Sequence, residues 1–105
     1  MPRGDIHYLK ADRAAKGHEQ HGPRRAIIVQ AARLPLSTVV IVPTTTAGFE
    51  SAWRVPIEFD DGVSYAMCEQ VRSIDPDQRL GTFVGMTSFE ELAAIDEALR
   101  LVLDL

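Results

Sequence analysis

Apolar residues come in short bursts along most of the chain and settle into helical spacing only at its C-terminal end. Asp5 to Leu9 predicts a first strand. Residues 10 to 23, KADRAAKGHEQHGP, are polar, hold two glycines and a proline, and predict a long loop; such loops in a compact domain are often functional. Arg25 to Gln30 predicts a second strand, β-branched at Ile27, Ile28 and Val29. Thr38 to Val42, TVVIV, predicts a third, and its continuous apolar character suits burial on both faces. TTTAGFES reads as a loop, Arg54 to Phe59 as a strand and Asp60-Asp61-Gly62 as a tight turn. Ser64 to Val71 predicts a further strand and Leu80 to Val84 a last short one, with one helical turn at Asp75 to Arg79.

The C-terminal segment TSFEELAAIDEALRLVLDL carries a capping box, Ser88 with Glu91 three residues on. Phe89, Leu92, Ile95, Leu99 and Val102 follow at i, i+3 and i+4 spacing and mark one apolar face, predicted to pack on the sheet. There are no repeats and no low-complexity tract. Strands followed by one terminal helix point to a small β-barrel or half-barrel closed by that helix.

At 105 residues the chain predicts one domain, 1 to 105, with room for a hydrophobic core that does not rely on disulfide staples. The single cysteine, Cys68, cannot form an internal disulfide and lies in an apolar strand, so it reads as buried and inert. No early stretch resembles a secretory signal, and no apolar run approaches the roughly 20 residues of a membrane span. The expectation is a soluble, cytoplasmic protein.

The net charge of −4 hides an asymmetry. Residues 1 to 54 hold eight Lys or Arg against four Asp or Glu, +4; residues 55 to 105 hold three Arg against eleven acids, −8. The whole-chain charge argues against nucleic-acid binding, and the basic first half permits it.

Most catalytic signatures are absent. There is no Gly-rich phosphate loop, no cysteine pair and no nucleophile-elbow serine. His18-Glu-Gln-His21 has a spacing compatible with a metal, but further ligands are lacking nearby, so neither a metal nor another cofactor is expected. What remains is Arg24 with Arg25, where an apolar strand begins, and Thr44, Thr45 and Thr46, where another ends. A rim arginine with its stem on the barrel, and ordinary turn threonines, account for these residues without any function. Sequential strands usually pair, however. Arg24 would then face Thr45, and a guanidinium fork opposite a hydroxyl suits an oxyanion such as phosphate.

Five blocks in order resemble the MazF/PemK family of toxin endoribonucleases: RGDI at Arg3 to Ile6, GHEQHGPRRAIIVQ at Gly17 to Gln30, VVIVPTTT at Val39 to Thr46, CEQVRSIDPDQRLG at Cys68 to Gly81, and the final LAAIDEALRLVLDL. Each block alone is weak; their order along nearly the whole chain is specific. The resemblance implies an α+β fold, mainly β: an SH3-like small barrel with a C-terminal helix, working as a homodimer. It implies metal-independent, sequence-specific cleavage of single-stranded RNA, with mRNA, tRNA or rRNA as targets. The 2′-hydroxyl attacks the adjacent phosphate and leaves 2′,3′-cyclic phosphate and 5′-hydroxyl ends. A cognate acidic antitoxin would neutralise the activity. Aligning the blocks puts the family's catalytic pair on Arg24 and Thr45. RNA contacts would fall on Arg3, Glu19, Gln20, Arg25, Thr46, Glu69, Gln70 and Arg72. The chain departs from the pattern at Arg25, where the family has proline, at His7, where it has Trp or Tyr, and at Thr44, where it has an apolar residue. Two other classes stay open: a gyrase-directed toxin of the CcdB type, and a non-catalytic SH3-like binding module, which usually shows more groove aromatics than this chain has.

Overall fold

The computed structural model describes residues 1–11 and 24–105. His18 with His21, Glu19, Gln20, and most of the long loop with Arg13, Lys16, Gly17 and Gly22, lie outside the described residues.

Seven strands make one curled sheet among the described residues: β1 (Asp5–Leu9), β2 (Arg24–Ile28), β3 (Val39–Thr45), β4 (Arg54–Phe59), β5 (Gly62–Met67), β6 (Arg72–Ile74) and β7 (Leu80–Met86). The order across the sheet is β4-β5-β3-β2-β1-β7, with β6 paired to β3 beside that path, and the pairings are antiparallel. A helical turn α1 (Pro76–Arg79) and the long helix α2 (Phe89–Leu103) complete the chain. The fold is the half-barrel with a terminal helix that the element order implied.

Strand alternation sorts the sheet's side chains into two cores. Ile6, Ile27, Val42, Val55, Ile57 and Ala66 form the first, under Ile95 and Ala98 of α2. Leu9, Ala26, Ile28, Val39, Ile41 and Ile74 form the second, on the other face. β3 has apolar residues in both sets, which is why TVVIV has no polar alternation.

β3 is longer than its apolar run, since Pro43, Thr44 and Thr45 are part of it. A proline inside a strand normally removes a ladder bond. Here β3 changes partner on one side, from β6 at Val39–Ile41 to β5 at Thr44–Thr45, and Pro43 falls at that handover. The predicted strand Ser64–Val71 is broken. β5 ends at Met67, Cys68–Gln70 make a 3-10 turn, and β6 follows as a separate strand. The Cys68 N–H donates to the Trp53 carbonyl (3.0 Å) rather than to the β3 ladder. Period-2 patterning cannot show such a jump between partners.

In α2 the capping box is formed, and Asp104, at φ 56°, closes the C-terminus. Ile95 and Ala98 are buried, while Leu99 and Val102 pack against the same core. Phe89 corrects the predicted stripe: it is 85% exposed. It is the first helical residue, at the end of the apolar face, whereas the fully packed positions lie in the middle turns. Glu91 also tethers the helix start, its Oε2 accepting from the Glu58 N–H at 2.8 Å.

Candidate active site

The β2–β3 register ends with Ala26 opposite Pro43; counting outward from that pair aligns Arg25 with Thr44 and Arg24 with Thr45. The Thr44 Oγ1 donates to the Arg25 carbonyl (3.3 Å), as this register requires. By strand alternation Arg24 and Thr45 share one face, the face away from α2, with Ala26, Ile28 and Ile41. Arg24 is half-buried, and Thr45 is nearly buried at 5% exposure. The Thr45 Oγ1 accepts from the Ala47 N–H (3.2 Å), which orients the hydroxyl at the start of the following loop and leaves its proton available to donate. Thr46, next along the chain, is exposed.

The two arginines part company at the sheet. Consecutive strand residues point to opposite faces, and Arg25 turns towards the side that carries α2. Its Cζ stacks 4.0 Å from the Phe59 ring centroid and 5.9 Å from that of Tyr8. Its Nη2 pairs with Asp61 at 3.0 Å. Its Nε is buried with no hydrogen-bond partner among the described residues. These groups wall a cavity of about 390 Å³ with Ile6, Val84 and Met86, between the two outer strands of the sheet. The charge at the start of β2 is thus accommodated by aromatic faces and one carboxylate. The structure does not bring Arg25 to Arg24 and Thr45.

Arg3 is also elsewhere. Its Nε donates to the Val29 carbonyl (2.8 Å), and its guanidinium is ion-paired with Asp96 of α2. This lies past the far end of β2 from Arg24, where Arg3 fastens the helix to the sheet. Glu69 and Gln70 occupy the exposed 3-10 turn beside β3. Glu69 is held by Arg54, whose Nε and Nη2 both reach its Oε2, at 3.2 and 2.7 Å. Arg72 pairs opposite Ile41 on the same face as Thr45, four residues along β3 or about 13 Å away. Thr45 and Thr46 end β3 and run on from it, Glu69, Gln70 and Arg72 lie along its side away from β2, and Arg3 and Arg25 are placed elsewhere. Arg54 is not singled out by the sequence, where nothing distinguishes it from any other arginine starting a strand.

The other departures have local explanations. His7 sits edge-on to Phe83, with ring centroids 5.7 Å apart, and its Nδ1 is 3.1 Å from the Gly81 carbonyl oxygen. It keeps a planar ring at that position. Thr44 is buried and satisfies its hydroxyl on the Arg25 backbone. Cys68 is buried, and burial, with a smaller contribution from the Glu69 carboxylate, pushes its thiol up to about 12. A thiol so reluctant to ionise is no nucleophile at neutral pH. No helix among the described residues is long and apolar enough to cross a membrane.

Comparison with known proteins places the chain in a family and shows which solved structures share its fold. Residues 2–103 match the family model of the PemK-like, MazF-like toxins of type II toxin–antitoxin systems. The chain is 35% identical over 120 aligned positions to endoribonuclease MazF9 of Mycobacterium tuberculosis, covering 100% of this chain and 98% of that protein. The fold matches MazF from Deinococcus radiodurans with a TM-score of 0.80 at 22% identity, over 100% of this chain and 97% of the other. It also matches a mycobacterial endoribonuclease solved with its cognate antitoxin, again with a TM-score of 0.80, at 20% identity over 100% and 96% of the two chains. The chain belongs to the PemK-like, MazF-like toxin family of type II toxin–antitoxin systems.

Proposed function

We propose that this endoribonuclease toxin cleaves single-stranded RNA at a short sequence, without a metal, by attack of the 2′-hydroxyl on the adjacent phosphate. The observation that carries the reading is the placement of Arg24 and Thr45 opposite each other on one face. In this role the Arg24 guanidinium stabilises the charge that builds on the phosphorane, and the Thr45 hydroxyl donates to a nonbridging oxygen. Thr46, Glu69, Gln70 and Arg72 line the path of the strand. Amide and carboxylate edges there read bases, which single strands leave exposed. Arg54 holds the Glu69 carboxylate in place. A long RNA digested in excess chelator will give fragments with 5′-hydroxyl ends. Fragments with 5′-phosphate ends, or cleavage only when metal is restored, would overturn the mechanism. No cleavage at all would favour the gyrase-directed or non-catalytic reading.

The same reading supplies the partners. A cytoplasmic RNase toxin needs restraint, and we infer an acidic, partly disordered antitoxin segment that folds on the toxin as it binds. The basic first half of the chain suits an acidic peptide, and relatives have been solved with their antitoxins. We also infer a homodimer. β7 is an end strand of the sheet, and Phe83 and Met86 on it are exposed, with Phe89 close in sequence, an apolar surface suited to a second copy. Expression of the chain alone will arrest growth, and co-expression of the reading frame just upstream will relieve the arrest. The co-purified complex will contain two toxin chains. A harmless chain, or a complex with one toxin chain, would contradict this account.

A further inference from the structure

Thr45 has a cross-strand neighbour on its other side as well, Tyr65 of β5. Arg24, Thr45 and Tyr65 thus form one row across β2, β3 and β5. Alternation puts all three on the face away from α2, because Ala66, next to Tyr65, lies in the core beneath the helix. Directly opposed residues have Cβ atoms about 4.5–5.5 Å apart, so the row spans roughly 10 Å, the scale of one phosphodiester with its flanking riboses. Tyr65 is half-buried, and its phenol oxygen has no hydrogen-bond partner among the described residues.

The chemistry proposed for the site lacks one component. Forming the 2′-oxygen–phosphorus bond and breaking the phosphorus–5′-oxygen bond leaves a 5′-alkoxide that must gain a proton. Guanidinium groups and aliphatic hydroxyls hold their protons more tightly than a phenol does. We propose that Tyr65 is a further catalytic residue, donating its phenolic proton to the departing 5′-oxygen; this rests on the RNase reading above. The 2′-hydroxyl proton passes to water, and the tyrosinate regains a proton from water after the step. The net products are the 2′,3′-cyclic phosphate and the 5′-hydroxyl, with no redox change and no added reactant. Arg24, two strands away in the same row, offsets the transient negative charge.

The test compares Tyr65→Phe with the wild-type chain under single-turnover conditions on two oligoribonucleotides carrying the cleaved motif. One has the natural 5′-oxygen at the scissile bond; the other has sulfur there, a 5′-phosphorothiolate, whose thiolate leaves without being protonated. On the oxygen substrate the variant will be slower by about a hundredfold or more, the usual contribution of a general acid. On the sulfur substrate it will match the wild-type rate, which also shows that the variant is folded. An equal loss on both substrates would make Tyr65 a binding or structural residue and overturn the proposal, as would no loss on either. A wild-type chain that cleaves neither substrate would overturn the RNase reading itself. A wild-type chain that cleaves both, with the variant its equal, would remove Tyr65 alone.

Discussion

Arg24→Ala will slow single-turnover RNA cleavage by at least about a hundredfold, the cost of removing a preorganised partner of transition-state charge. Its thermal midpoint will stay near that of the wild type. Arg25→Ala, one residue along, will show the opposite pattern. The sequence alone points to Arg25 as a phosphate contact, whose loss would weaken RNA affinity and its salt dependence. The structure directs the expectation elsewhere. Arg25 stacks on Phe59 and pairs with Asp61, on the sheet face away from Arg24 and Thr45. Removing it exposes the walls of the cavity between the outer strands, at a stability cost of roughly 1–2 kcal/mol from lost stem packing and cation–π contact. Its contribution through Asp61 is small, because that carboxylate is 70% exposed. Cleavage rates and melting curves of the two variants decide the matter. Cleavage lost in Arg25→Ala and kept in Arg24→Ala would mean that the catalytic register is off by one residue and that the opposite face binds RNA.

Ile95→Ala will destabilise the fold by about 2–5 kcal/mol, the range for truncating a fully buried aliphatic side chain and leaving a cavity. Ile95 has no exposed surface and lies among Ile27, Val42 and Ile57. It is the largest fully buried side chain that α2 contributes to the first core. Ala98, Leu99 and Val102 add smaller or partly exposed contacts to the same core, and the polar tethers, Arg3 to Asp96 and the Glu58 N–H to Glu91, are partly exposed to water. Phe89→Ala, at the other end of the same stripe, will shift stability by no more than about 0.5 kcal/mol at low protein concentration, as exposed positions usually do. Urea denaturation of both variants measures this. A larger loss at Phe89 than at Ile95 would mean that α2 docks through its N-terminal turn and not through its middle.

The sequence was strongest where one local rule acted alone. The limits of β1 and β4 and the DDG turn are as read, because each is an apolar run bounded by polar or turn residues. The capping box is formed as read, because Ser88 and Glu91 need only each other's backbone to satisfy it. The helical turn after Asp75 is also present, with the Asp75 side chain accepting from the Asp77 N–H. The ordered blocks carried the family, since a resemblance spread along the chain does not depend on any one boundary.

Other features depended on contacts that are distant in sequence. β3 runs through Pro43 only because its partner changes there. The strand beginning at Ser64 ends at Met67 because the next residue bonds to Trp53, fifteen positions earlier in the chain. Whether Phe89 is core or surface depends on where α2 rests, which its own periodicity does not contain. The two arginines make the same point at the site. Their adjacency suggested one shared role, but strand alternation sends them to opposite faces, and only the pairing of β2 with β3 says which of them meets Thr45. Tyr65 lay unnoticed in an ordinary strand until the β3–β5 register set it opposite Thr45. The sequence by itself determined the local elements, the apolar faces and the residue types able to act on a phosphate. The tertiary structure decided which of them share a face, because register and partner choice are set by long-range packing that no local pattern encodes.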